Sequence, residues 1–187
     1  MRIDSLEQND AVLVEAAQQG RLDSFGALYQ RYHNPIVALA YAQLGDKHSA
    51  EDAAQEVFAI ACRDLRSLRE RDRFGAWLGG ICRNVTKQML RVKTRAAPLP
   101  AEAEEVAADG QPKQEEQWDA VRKAVWKLPE AERELVVMRY FNGFSQAKIS
   151  QVLDMTPAAV NGRLTRAKRR IAELLERDGF GSESWDA

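Results

Sequence analysis

Residues 96–117, AAPLPAEAEEVAADGQPKQEEQ, cannot take part in a packed core. They hold three prolines, one glycine and almost no large apolar side chain. Glu102, Glu104, Glu105, Asp109, Glu115 and Glu116 face a single base, Lys113, which leaves a net charge of −5. Such a stretch buries too little apolar surface to offset the entropy of ordering it. It reads as a flexible acidic linker, and its 22 residues could span up to about 70 Å at roughly 3.3 Å per residue. The chain is therefore expected to fold as two blocks, residues 1–95 and 118–178, with a short tail at 179–187.

Both blocks carry helical periodicity and no convincing strand alternation, so the expected class is all-α, two small helical domains. In the first block, helices are expected from about Asp10 to Gln19, stopping at Gly20, and from about Asp23 to Leu44, ending at Gly45. A third opens at Ser49, with Asp52 three residues on in a capping-box-like arrangement. A fourth begins near Phe74 and continues toward Arg91. In the second block, Pro129, Ser145 and the pair Thr156-Pro157 mark helix starts.

Composition excludes several classes. No apolar run approaches the roughly 20 residues that cross a bilayer. The N-terminal Met-Arg-Ile-Asp-Ser-Leu-Glu lacks an apolar signal core, so the expectation is a cytoplasmic protein without membrane insertion. Cys62 and Cys82 form no CxxC pair and have no flanking histidines, which argues for two reduced core thiols and no metal. No P-loop or GxSxG occurs, and His48 beside Glu51 and Asp52 is explained by a helix start. No enzyme, cofactor or small-molecule substrate is expected.

The overall charge of −1 conceals a basic helix. Ser145–Arg170 has the layout of a helix-turn-helix. A short helix would bury Ile149, Val152 and Leu153, and Asp154-Met155 would make the turn with Asp154 left-handed. Thr156 would then cap a second helix that buries Val160, Leu164, Ala167, Ile171 and Leu174. Between Pro157 and Arg177, Arg163, Arg166, Lys168, Arg169, Arg170 and Arg177 outweigh Glu173 and Glu176 by four charges. A recognition helix offers its N-terminal residues to base edges while basic side chains hold phosphates. Thr156, Ala158, Ala159, Asn161, Gly162, Arg163, Arg166 and Lys168 are the candidates here. An ordinary helical hairpin with a solvated basic face is the alternative.

The first block has two faces of opposite sign. On the helix after Ser49, Ala50, Ala53, Ala54, Val57, Ile60 and Ala61 share one side, and Asp52, Gln55, Glu56, Ala59 and Arg63 share the other. That stripe is either a solvated surface or a docking face for a basic or polar helix. On the helix after Phe74, Leu78, Ile81, Cys82, Val85, Met89 and Val92 share one side, opposite Arg83, Asn84, Lys87 and Arg91. Trp77 sits at the start of this basic helix. Aromatics beside basic grooves stack the bases of single strands, although packing is the commoner role of any one aromatic.

These segments together resemble the extracytoplasmic-function group of the sigma-70 family, along nearly the whole chain. Phe25-Gly-Ala-Leu-Tyr-Gln-Arg-Tyr is similar to region 2.1, and Ala50-Glu-Asp-Ala-Ala-Gln-Glu-Val-Phe to region 2.2. Phe74-Gly-Ala-Trp-Leu with Arg83-Asn84 is similar to the helix that engages the −10 element. Leu128-Pro-Glu-Ala-Glu-Arg and the helix-turn-helix are similar to region 4, which reads the −35 element. The resemblance implies that Asp52, Gln55, Glu56 and Ala59 meet the core of a bacterial RNA polymerase. It implies that Arg71, Arg73, Trp77, Arg83, Asn84, Lys87 and Arg91 meet −10 promoter DNA, with the charged loop Leu68–Arg73 near a flipped base. It also implies an anti-sigma factor as partner. Departures stand at Gly79 and Gly80, which should make the −10 helix start late or bend. Others stand at Lys148, Ser150, Asp154 and Asn161-Gly162. The rival expectation is an autonomous helix-turn-helix regulator that binds duplex DNA without polymerase.

Overall fold

The computed structural model describes residues 9–96 and 112–180. Eight α-helices follow in order: α1 (Asp10–Gln18), α2 (Leu22–Leu44), α3 (Lys47–Asp64), α4 (Phe74–Ala96), α5 (Pro112–Trp126), α6 (Glu130–Val136), α7 (Gln146–Leu153) and α8 (Pro157–Arg177). Two 3-10 turns, Leu65–Ser67 and Arg71–Arg73, join α3 to α4, and a π turn at Val137–Phe141 follows α6. No strand occurs among the described residues. The linker expectation falls mostly outside the described residues, but α5 begins at Pro112, inside the stretch assigned to it.

Several helix ends follow from one residue each. Gly45, at φ +75°, closes α2 in the left-handed region, where glycine meets no Cβ penalty. The next residue, Asp46, caps α3 by accepting from the His48 and Ser49 amides at 3.1 Å each. This corrects the expected start at Ser49, because the Ser49 amide is already taken by Asp46. The expected late or bent start of the fourth helix is also corrected, since α4 runs without interruption from Phe74 through both glycines. Ser145 caps α7, Asp154 is left-handed at φ +56°, and Thr156 caps α8 through the Ala159 amide at 3.2 Å.

The first unit packs α1, α2, α3 and α4 around Leu13, Leu28, Ile36, Leu39, Val57 and Leu78. Tyr32 and Phe74 meet edge to face at 5.3 Å. The Tyr32 hydroxyl donates to buried Asp10, which also pairs with Arg31. Burial first, and the Asp10 carboxylate second, push the Tyr32 phenol far above its ordinary range. Cys82 is buried and its thiol pushed up to about 12, mainly by desolvation. Cys62 is exposed, which corrects the expectation of two core thiols. Val92 is 61% exposed, because the apolar stripe of α4 outlasts the helices that cover it.

The second unit packs α6, α7 and α8 on Leu135, Met138, Ile149, Val160 and Leu164, with α5 laid across α8. Ile171 and Leu174 are only partly covered, and Leu175 is the fully buried leucine of that turn. The two units do not hang apart. Their cores merge into one apolar cluster where α7 crosses α4 and α6 meets α2.

Candidate nucleic-acid interface

The acidic stripe on α3 is a property of helical phase. Ala50, Ala53, Ala54, Val57 and Ala61 point into the core, which leaves Asp52, Gln55, Glu56 and Ala59 exposed side by side. Arg63, at the end of the stripe, pairs with neighbouring Asp64 at 2.8 Å.

The segment between α3 and α4 is anchored from beneath. Leu65 and Leu68 are buried, and the Gln18 amide donates to both of their carbonyls at 3.0 and 2.9 Å. With those leucines fixed, the polar residues between them face solvent. Ser67, Arg69, Glu70, Arg73, Ala76 and Trp77, together with Asp154, line a cavity of about 380 Å³. Trp77 is half-buried, 5.9 Å from the Phe74 ring, so one edge packs and the rest borders the cavity. Arg71 turns away from it, donating to Gln18 at 2.9 Å and to Glu15 at 3.1 Å. Further along α4, Asn84, Lys87 and Arg91 are exposed. Arg83 instead pairs with Glu134 of α6 at 3.0 Å. The structure thus gathers Arg73 and Trp77 at one cavity and Asn84, Lys87 and Arg91 along one helix, and it holds Arg71 and Arg83 in ion pairs elsewhere.

The helix-turn-helix presents a second surface. Thr156, Ala158, Ala159, Asn161, Arg166 and Lys168 are exposed, and Gly162 and Arg163 are partly covered. Lys168 lies over the Tyr140 ring at 5.1 Å, and Arg170 reaches back to Glu132 at 2.9 Å. The first turn of α8 is small and uncharged, so its backbone can approach a groove closely. The bases follow one turn later, the order in which base edges and phosphates are met. Among the described residues no three His, Cys, Asp or Glu side chains gather as a metal site, and no helix is long and apolar enough to cross a membrane.

Two known families match this division of the chain. Residues 28–96 match Sigma-70 region 2, and residues 118–171 match Sigma-70, region 4. The chain is also 31% identical over 169 residues to the ECF RNA polymerase sigma factor SigM of Mycobacterium tuberculosis, covering 90% of this chain and 86% of that one. The chain belongs to the extracytoplasmic-function sigma factors. Another sigma factor of this group, SigW of Bacillus subtilis, is 27% identical over 87% of this chain and 94% of its own. BldN of Streptomyces coelicolor is 31% identical over 89% of this chain, which spans 66% of BldN's length. The structure of CnrH in complex with the cytosolic domain of CnrY superposes with a TM-score of 0.61 at 25% identity, covering 91% of this chain and 99% of CnrH. RpoE of Bartonella quintana, solved with the anti-sigma factor NepR, shares the fold at a TM-score of 0.56 and 22% identity, over 81% of this chain and 96% of its own.

In this sigma factor, region 2 comprises most of α2 together with α3 and α4, and region 4 comprises α5 to α8. The sequence singled out Arg73 and Trp77 and placed Arg69 and Glu70 in the charged loop before them, but it missed Ser67. Its signal was the spacing of Leu65 and Leu68, which fixes what lies between. Glu134 was not singled out at all. Its signal was its place directly before the apolar run Leu135–Met138, where a buried acid must find a partner.

Proposed function

We propose that this chain is the promoter-reading subunit of a bacterial RNA polymerase and carries no catalytic chemistry of its own. In this reading the exposed stripe Asp52, Gln55, Glu56 and Ala59 docks on the core enzyme. Arg73 and Trp77 at the cavity, with Arg71, Arg83, Asn84, Lys87 and Arg91, engage the −10 element as it melts. Thr156, Ala158, Ala159, Asn161, Gly162, Arg163, Arg166 and Lys168 engage the −35 duplex. The observation that carries the proposal is the pairing, in one chain, of a capped basic recognition helix with a separate basic helix that starts at an aromatic-lined cavity. A lone duplex-binding regulator has no use for the second. An anti-sigma factor is proposed as a further partner, as with RpoE and NepR. The site of action is the cytoplasm.

The test is transcription in vitro with sigma-free core polymerase on a promoter library, with and without the protein. The expected result is protein-dependent initiation from promoters that share a two-part motif. Specific duplex binding by the protein alone, with no initiation, would replace the proposal with an autonomous helix-turn-helix regulator.

A further inference from the structure

The solvent face of α8 is small at its centre and polar at its flanks. Val160, Leu164 and Ala167 hold the helix to its unit. Helical phase then brings Ala158, Gly162 and Thr165 to the middle of the opposite face, with Asn161 on one flank and Arg166 on the other. Three of the bases on this helix are engaged within the chain. Lys168 lies over the Tyr140 ring, Arg169 stands 3.6 Å from Glu173, and Arg170 pairs with Glu132 at 2.9 Å. Thr165 spends its hydroxyl hydrogen on the Asn161 carbonyl at 3.0 Å. The Asn161 side chain is exposed and meets no hydrogen-bond partner among the described residues.

Asparagine is a short side chain, so it reaches a base edge only where the helix backbone comes close to the groove floor. Gly162 and the first turn allow that approach. A Cβ at Gly162 would have nothing within 4 Å except the Arg166 guanidinium, at 3.7 Å. Ala158 and Ala159 add no more than methyl groups. The Arg166 side chain lies back along the helix toward Gly162, the direction that long helical side chains take. No bulky group therefore stands between Asn161 and an incoming duplex.

We propose that Asn161 reads one adenine of the −35 element directly. The side-chain nitrogen donates to adenine N7 and the side-chain oxygen accepts from N6. In the major groove adenine alone carries that donor beside that acceptor, which is why asparagine selects it. The inference rests on the sigma assignment above and specifies one base pair within the duplex named there. The methyl groups of Ala158 and Ala159 suit the methyl of a neighbouring thymine. Lys168, further along the helix, holds a phosphate, which adds affinity without sequence information.

The test uses holoenzyme reconstituted with the full chain, on promoters randomised across the −35 region. The parental chain should prefer adenine at one position. Replacing that adenine with 7-deazaadenine removes the N7 acceptor and keeps the base pair, and it should weaken promoter binding by about tenfold. Asn161→Ala should lose the preference at that position, keep it elsewhere, and bind the adenine and 7-deazaadenine promoters alike. Asn161→Asp, which can accept but not donate, should shift the preference toward cytosine, whose N4 donates. Lys168→Ala should weaken every sequence to the same extent. If Asn161→Ala keeps the parental preference at every position, or the parental chain ignores the loss of N7, the adenine is read through duplex shape and the proposal is overturned. If no holoenzyme initiates, the sigma assignment fails instead, and the same substitutions are then compared by duplex selection with the full chain alone.

Discussion

Glu134 lies 91 positions from Gln43 and 51 from Arg83, yet one carboxylate serves both. Thr86 completes the set by donating to the Gln43 side chain. Removing the acid strands an amide and a guanidinium in an apolar seam, where an unmade hydrogen bond costs about 1–3 kcal/mol. Glu134→Ala should therefore lower stability by about 2 kcal/mol in urea unfolding of the full chain. Glu134→Gln, which can still accept from Arg83, should lose less. An unchanged midpoint for the alanine variant would mean that the carboxylate holds nothing. At this scale the sequence was read well where phase decided the outcome. Ala53, Val57 and Leu78 are inside because helical spacing puts them there. It was read less well where residue type stood in for phase. Cys62 is as apolar as Cys82, but it falls on the exposed side of α3 with Ala59 and Arg63.

Among the elements, α3 shows what a cap contributes. Asp46 accepts two amides and pairs with Lys93 at 3.3 Å. Its carboxyl is held down at about 2, chiefly by its hydrogen bond with Ser49 and then by that with Lys93. A carboxyl lowered on folding stabilises the native state fully above its ordinary value near 3.8, and that stabilisation is lost as the pH falls through about 2. Asp46→Ala should cost about 1 kcal/mol at neutral pH. Asp46→Asn should keep the cap while flattening the pH dependence of the melting temperature between pH 4 and 2. A parental acid slope in the asparagine variant would assign that slope to other carboxylates. Helix boundaries were legible wherever a single residue controls them, as Thr156, Pro157, Ser145 and Asp154 do. Ser49 misled because it is also a good cap, and only the chain direction after Gly45 decides that Asp46 reaches the free amides first.

For the molecule as a whole, the two units were legible in the sequence and their contact was not. That contact depends on the Val152 carbonyl meeting Gly79 across 73 positions, and no periodicity encodes such a meeting. Lys148 reports on it. In the packed arrangement burial lowers its ammonium from 10.5 to about 8, while nearby Asp10 favours the charge and Arg31 opposes it. Below about pH 8 the side chain is charged whether the units are packed or parted. As the pH rises above that, the packed form, which holds its proton less tightly, gains. Scattering should show the compact form increasing between pH 8 and 9.5, and Lys148→Met should abolish the trend. A trend that survives in Lys148→Met would place its origin elsewhere. One more consequence belongs to the recognition helix, which faces water even when the seam is shut. Arg166, Lys168 and Arg177 lie on its exposed surface, and contacts of this kind let a protein slide and hop along any duplex. The chain would then travel along the chromosome between encounters, so assembly with a polymerase would start from molecules already on DNA.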